Sequence, residues 1–422
     1  MSIYVRGVYM SNEVVFQIKL GKRPLMLLIS AILGLAAGVV IGEPVKNIAI
    51  LGDIYVALLK FIVGPLVFLC IAWAVMSMGD LIKLGKIFLG FIPYWVFMGL
   101  ATVGTAYAIG SMLKPGVGVQ LPGGSGVTPV SLTIADYLRN IIPSNFIDMF
   151  LNLKMLQIIF TAILVGIAVG IIGRSTPQVK EFLTRLFESL LAVVYKLLDF
   201  ILWYGPIGVF ALMANVAAVV GVIAVGAFTK LVLAFYISGF IVLLIIQPLI
   251  MILVARLNPL RFWRKYFPAM ITAFSTASSN ATLPVTINSA IEAGVSKEVA
   301  TVILPVAATI NMQGACATIT LFTLFAFQAL GIPLGFGEVL TLVVLGFLGA
   351  TAAAGVPGGA AIVAVATAAA LGIPVEAAGW MVGVHPAVDP FETMLNVIGD
   401  PLGATIVSKY VTKDFNEEKW RK

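Results

Sequence analysis

The chain has 422 residues, of which 60% are hydrophobic and 11% charged, with a mean hydropathy of +1.08 and a net charge of +7. Soluble domains carry about 25% charged residues, so a deficit spread over the whole length excludes an ordinary soluble protein and makes lipid the solvent for most of the surface. The positive balance does not signal nucleic acid, because Lys and Arg sit in short connections and at the termini, where the positive-inside bias and anionic headgroups account for them.

The opening arm, Met1–Arg23, has no apolar core followed by a small-residue cleavage site, so it reads as a cytosolic lead into the first span. Six spans follow, over about residues 23–42, 50–78, 86–113, 132–172 (broken), 181–218 and 226–255. Their long, continuous Leu/Ile/Val/Ala runs fit helices of roughly 20 apolar residues and not alternating barrel strands. The connection Lys114–Thr133 is rich in Gly and Pro. The connections Gly79–Lys86, Gly173–Lys180 and Arg256–Lys265 are basic, which places them and both termini in the cytoplasm. Cys70 and Cys316 lie in apolar stretches and read as small buried hydrophobes.

Beyond Arg256 the pattern changes. Thr272–Pro284 (TAFSTASSNATLP) is a polar cluster in apolar surroundings, and Gly349–Gly359 (GATAAAGVPGG) is a second break. Each has apolar arms too short for full spans, which predicts re-entrant helical hairpins, each followed by a longer helix, in Pro259–Leu330 and Gly331–Lys413. Paired broken segments are the sequence sign of a transporter site. Two ordinary hairpins with polar turns are the competing reading.

The final helix carries a polar stripe. At about 100° per residue, His385, Asp389, Glu392, Thr393, Asn396 and Asp400 share a face roughly 100° wide, with Pro386 and Pro390 distorting its first turns. Ionisable groups at membrane depth are costly unless paired and default to a functional reading. A solute and cation site is expected; a structural ion-pair network is the alternative. His385 and Glu392 lie two turns apart and are candidates for proton coupling, against the plainer reading of a satisfied core histidine.

The order SSNATLP (Ser278–Pro284), NMQG (Asn311–Gly314), GVPGG (Gly355–Gly359) and D-x-x-x-T-x-x-N-x-x-G-D (Asp389–Asp400) resembles the glutamate transporter family of dicarboxylate and amino acid:cation symporters. The resemblance covers essentially the whole chain. It implies an all-α polytopic membrane protein with eight spans, two re-entrant hairpins and inverted repeats, assembled as a homotrimer in the plasma membrane. Residues 1–85 and 132–225 would form a scaffold. Residues 86–131 and 226–413 would form a transport domain that moves like an elevator, with the second hairpin as its gate. Residues 414–422 would be a cytoplasmic tail.

By the same resemblance, Asp389 takes the substrate amino group, while Asn396 and Ser279 hold the α-carboxylate beside Thr393. Backbone at Ser278, Asn280, Val356, Pro357 and Gly358 adds N–H donors. The side-chain end departs from the family: Glu392 stands where acidic-substrate carriers place arginine, Ala315 where they place threonine, and His385 where they place an aspartate. Arginine clamps a carboxylate and glutamate repels it, so a neutral polar or cationic side chain is expected, with sodium-coupled aspartate or glutamate symport as the alternative.

The resemblance implies a sodium site that uses an aspartate and hydroxyls on the third span; here Gln313 stands at the aspartate position, with Trp95, Met98 and Gly99 on the third span, and the site is expected to be lost because hard cations want oxygen ligands and charge. By the same resemblance a second site would use the Asp400 carboxylate with backbone around Ala307, Asn311 and Asn396, which this chain retains, and a third would use backbone carbonyls near Thr309 and 350–353, on which side-chain identity does not bear. Reduced or absent sodium coupling is expected, with protons as substitute, and no resident cofactor. An enzyme is disfavoured: no metalloprotease motif occurs, and Asp400 lacks the context of intramembrane aspartyl proteases. A channel or a transport-inactive receptor are the remaining rivals.

Overall fold

The computed structural model describes residues 2–9, 12–19, 22–77, 83–119, 142–152, 155–220, 222–331, 333–351, 353, 355, 358–370 and 375–421. Most of the Gly/Pro-rich connection and the first arm of the fourth span therefore lie outside the described residues. The opening arm is a β-hairpin, which the sequence pattern does not signal. Its strands β1 (Ser2–Tyr9) and β2 (Asn12–Lys19) pair antiparallel, with Ser2 opposite Lys19.

The body that follows is all-α, as expected. Helix α1 (Lys22–Ile41) leads through a 3-10 turn (Glu43–Ile48) into α2 (Ala49–Ser77). Then come α3 (Lys83–Leu113), the short α4 (Phe146–Leu151), α5 (Met155–Ser175) and α6 (Pro177–Val220). Helices α7 (Val222–Ile241) and α8 (Gln247–Leu253) run on through a π-turn at Val242–Ile246. Among the described residues, five helices are long and apolar enough to cross a membrane. Large apolar side chains such as Ile171, Phe182, Phe200 and Trp203 on α5 and α6 face outward, a surface that suits lipid and not water.

The polar cluster at 272–284 splits α9 (Pro259–Thr276) from α10 (Ser279–Glu292). Ala277 adopts a left-handed conformation (φ 49°) that stops α9, and Ser278 caps α10 by accepting from the Ala281 N–H at 3.3 Å, the role for which a short hydroxyl side chain is favoured. The longer helix that follows is itself interrupted. Helix α11 (Lys297–Ile310) ends at Asn311 and α12 (Gln313–Ala329) begins after Met312. The second break separates α13 (Phe336–Ala350) from α14 (Gly359–Ala370). Helix α15 (Val375–Val384) gives way to a 3-10 turn (His385–Ala387) before α16 (Asp389–Tyr410). Pro386 and Pro390 supply no N–H to continue the ladder there.

Two groups of helices result. Helices α1, α2, α5 and α6 pack on one another, and α3, α7, α13, α14 and α16 pack around α12, with α14 and α15 among the helices that touch both groups. Gly34 and Gly38 of α1 let the α6 backbone come close: a Cβ at either would lie 2.4 Å or 2.2 Å from an α6 carbonyl. This is the small-residue contact that substitutes for hydrophobic drive between membrane helices. Every residue from Gln313 to Phe327 is buried, so α12 is the axis of the second group.

Beyond α16 the tail folds back. Asn416 N–H donates to Gly294 O at 2.8 Å, Lys265 Nζ donates to Lys419 O at 2.9 Å, and Trp420 on α17 (Glu417–Arg421) is buried. Gly294 has φ +106°, and a Cβ there would meet the Asn416 carbonyl at 2.4 Å. Asp414 accepts from the hydroxyls of Ser408 (2.6 Å) and Thr412 (2.5 Å). Burial opposes its ionisation, but these hydrogen bonds prevail and hold the carboxyl below its ordinary range. A depressed folded value adds stability above the unfolded value of about 3.9 and loses it as pH falls through the folded value. Asp414→Asn is therefore expected to melt lower than wild type at neutral pH, with the gap closing below about pH 4, as read by thermal unfolding across pH.

Candidate functional site

The polar stripe of α16 faces the protein. His385, Asp389, Glu392, Thr393, Asn396 and Asp400 are all buried, and none is more than 6% exposed. The break before α16 frees a carbonyl at Ala387, which accepts from Tyr236 OH at 2.9 Å. This anchors the turn that carries His385. The imidazole stands between two carboxylates: Nδ1 is 3.8 Å from Asp389 Oδ2, and Nε2 is 3.1 Å from Glu392 Oε2. Glu392 Oε2 also accepts from the Thr318 hydroxyl of α12.

Further along the stripe, Asn396 Oδ1 accepts from Gly314 N–H (2.7 Å) and Ala315 N–H (3.4 Å). It caps the first turn of α12 and leaves its own amide N–H₂ as a donor. Gly314 is required here, because a Cβ would lie 2.3 Å from the Glu392 carbonyl. Asp400 Oδ1 accepts from Asn311 Nδ2 at 2.9 Å. Asn311 Oδ1 is buried with no partner among the described residues. An orphaned amide oxygen beside a carboxylate is what a hard cation would coordinate. Ala307 and Thr309, one turn back on α11, are buried; Ala307 O accepts from Asn311 N–H at 2.8 Å, and Thr309 Oγ1 donates to Pro305 O at 3.4 Å.

The two breaks meet beside this stripe. Ser278 Oγ and Asn280 N–H both donate to Gly355 O, at 3.0 and 3.1 Å. Gly358 N–H donates to Asp389 Oδ2 at 3.0 Å. Gly358 has φ +78°, a conformation open to glycine at no steric cost, and it turns the N–H toward the carboxylate. Ser279 Oγ is buried and without a partner among the described residues. Val356 and Pro357 lie outside the described residues.

At the third-span positions where the sequence leads one to expect a lost cation site, protein groups pack closely. Gly99 faces the Phe347 ring, which a Cβ would meet at 2.3 Å. Trp95 packs on that ring at 4.9 Å and donates to Ile310 O at 2.9 Å, and Met98 is fully buried. Gln313 accepts from Gln247 Nε2 (2.9 Å) and donates to Tyr94 OH (3.2 Å), which donates to Gly399 O (2.7 Å). The relay holds amides and a phenol but no carboxylate, and its one loose end is Gln247 Oε1.

Gln247 and Thr318 were not signalled by motif. Gln247 is the lone amide in a long apolar run and sits at the end of a π-turn, a distortion common at functional sites; Thr318 left no sequence trace beyond lying one turn past NMQG. Gln313→Leu removes two of the three hydrogen bonds of the relay and is expected to cost about 1–3 kcal/mol, read as a lowered melting temperature of the purified protein.

Residues 24–410 match the family described as Sodium:dicarboxylate symporter family. A Proton/glutamate-aspartate symporter of Bacillus subtilis is 29% identical over 401 residues, covering 92% of this chain and 95% of that relative. A C4-dicarboxylate transport protein of Rhizobium etli is 27% identical over 409 residues, covering 92% and 90%. A C4-dicarboxylate transport protein of Bacillus subtilis is 27% identical over 407 residues, covering 92% and 93%. With a match that runs from the start of α1 to the end of α16, the chain belongs to the sodium:dicarboxylate symporter family and is a membrane transporter, not an enzyme.

Proposed function

We propose that this protein is a secondary active transporter for amino acids with neutral polar or cationic side chains, with reduced or absent sodium coupling and protons as the substitute ion. One observation carries the reading: Asp389, Asn396 and the unpartnered Ser279 hydroxyl are all buried, and between Asp389 and Asn396 on the same helix stands a second carboxylate, Glu392, held by His385 and Thr318. The first three suit an ammonium and a carboxylate on one carbon. The last repels a second carboxylate and accepts from a donor.

The relatives' names supply the rival reading. They describe carriers of glutamate, aspartate and C4-dicarboxylates, and a sodium-coupled acidic substrate is the alternative here. Against it stands the lack of any Lys or Arg side chain paired with Glu392 among the described residues. The word proton in the name of the first Bacillus subtilis relative supports proton coupling in this one.

The transport cycle follows the same reading. The group α1, α2, α5 and α6 is the scaffold, and α3 with α7–α16 is the transport domain that moves as an elevator. The α9–α10 and α13–α14 pairs are re-entrant hairpins. The assembly is a homotrimer in the plasma membrane with both termini cytoplasmic. Asp400 and Asn311 hold the remaining cation site, and the Gln247–Gln313–Tyr94 relay replaces another.

A competition panel tests the substrate. Neutral polar or cationic amino acids are expected to displace a bound amino acid at neutral pH, and displacement only by aspartate and glutamate would contradict the proposal. Ion coupling is tested by uptake into liposomes with sodium replaced by choline at constant pH. Uptake is expected to persist and to respond to a proton gradient; complete loss would establish sodium coupling instead.

A further inference from the structure

We infer that Asp389 and Glu392 form a paired acceptor for one short 1,2-amino alcohol, so that the substrate is a small β-hydroxy amino acid of the serine or threonine type, and that Thr318 is the positioning residue for this selectivity. The inference rests on the amino acid reading above and narrows it by excluding long cationic side chains.

Distance is the first ground. One carboxylate oxygen of Asp389 and one of Glu392 lie within 4.8 Å of each other, with a His385 ring nitrogen within the same distance of both. In a 1,2-amino alcohol the nitrogen and oxygen are about 3 to 4 Å apart, depending on rotamer. An ammonium on Asp389 and a hydroxyl on Glu392 then each reach an acceptor at ordinary hydrogen-bond length. In lysine the two nitrogens stand about 7 Å apart when extended, so its chain has to fold back to use the same pair.

Closure is the second ground. Phe322 lies one turn beyond Thr318 on α12 and meets the His385 ring edge-on at 6.4 Å. Trp380 packs behind it, 5.5 Å from Phe322 and 4.2 Å from Phe325. These three rings are fully buried, so aromatic side chains fill the space just past His385 and leave no room there for a long side chain. A short side chain ends before them.

Orientation is the third. The Thr318 hydroxyl and His385 Nε2 converge on the same oxygen of Glu392, Oε2. A carboxylate accepts several hydrogen bonds, and with one oxygen committed to the protein the other is left to accept from a ligand hydroxyl. Thr318 touches no substrate in this scheme; it fixes the carboxylate that does. A site built to accept from a hydroxyl discriminates against the analogue that lacks it, because the acceptor is then left buried and unpaired.

The test is stabilisation of the full-length protein against heat by L-serine, L-threonine, L-alanine, L-lysine and L-aspartate, each titrated to give an apparent affinity. Serine and threonine are expected to bind at least ~10-fold more tightly than alanine, and lysine to bind still more weakly. Thr318→Val should lower the serine-to-alanine affinity ratio by about 10-fold, and Thr318→Ser should restore it. A structural role alone would shift both amino acids together and leave the ratio unchanged. Lysine binding as tightly as serine would overturn the inference without any variant, as would an unmoved ratio in a Thr318→Val protein that melts like wild type. Binding of aspartate alone would overturn it while leaving an amino acid carrier in place. Binding of none of the five would overturn the amino acid reading as well.

Discussion

Three carboxylates, Asp389, Glu392 and Asp400, are buried along one face of α16, and each has to be matched there because burial takes it out of contact with water. That requirement organises the second group of helices. Glu392 is matched by Thr318 and His385, Asp389 by the Gly358 amide, and Asp400 by Asn311. These partners come from α11, α12, the turn before α16 and the second helix break, so satisfying one stripe draws four parts of the chain together. Unmatched, each charge would cost several kcal/mol.

The breaks in the helices serve the same end. A regular helix spends its backbone donors on itself, but a broken one has N–H groups to offer. The α9–α10 break presents Ser278 and Asn280 to Gly355, and the α13–α14 break presents Gly358 to Asp389. The break at Asn311–Met312 starts α12 where Asn396 can cap it. Irregular backbone at membrane depth persists because protein, not lipid, surrounds it. Chemistry and packing meet at Gly314, whose lack of a side chain lets α12 approach the Glu392 backbone.

Much of this was legible in the sequence, because membrane helices and buried charges leave strong marks. The spans before Arg256, the two breaks near 278 and 355, and the polar stripe from His385 to Asp400 follow from run length, composition and period. The interruption at Asn311–Met312 was not legible as a break, because neither residue is a Gly or Pro; it arises from tertiary contacts with α16. Thr318 was hidden among the other hydroxyl residues of α12, and a hydroxyl gains meaning only when a carboxylate stands beside it. Gln247 lies more than 60 positions from Gln313, and no local pattern pairs two amides so far apart. The β-hairpin at the start escaped because a reading of the arm for a cleavage signal does not test for strand period.

The central claim is that the buried row on α16 receives an amino acid by its ammonium at Asp389 and its side chain at Glu392. The most direct measurement is a density map of the protein saturated with a transported L-amino acid. The account predicts the ligand nitrogen at hydrogen-bond distance from Asp389 and its side chain directed to Glu392, between the two helix breaks. Ligand density elsewhere in the membrane domain, or a ligand carboxylate seated on a cation beside Glu392, would contradict it.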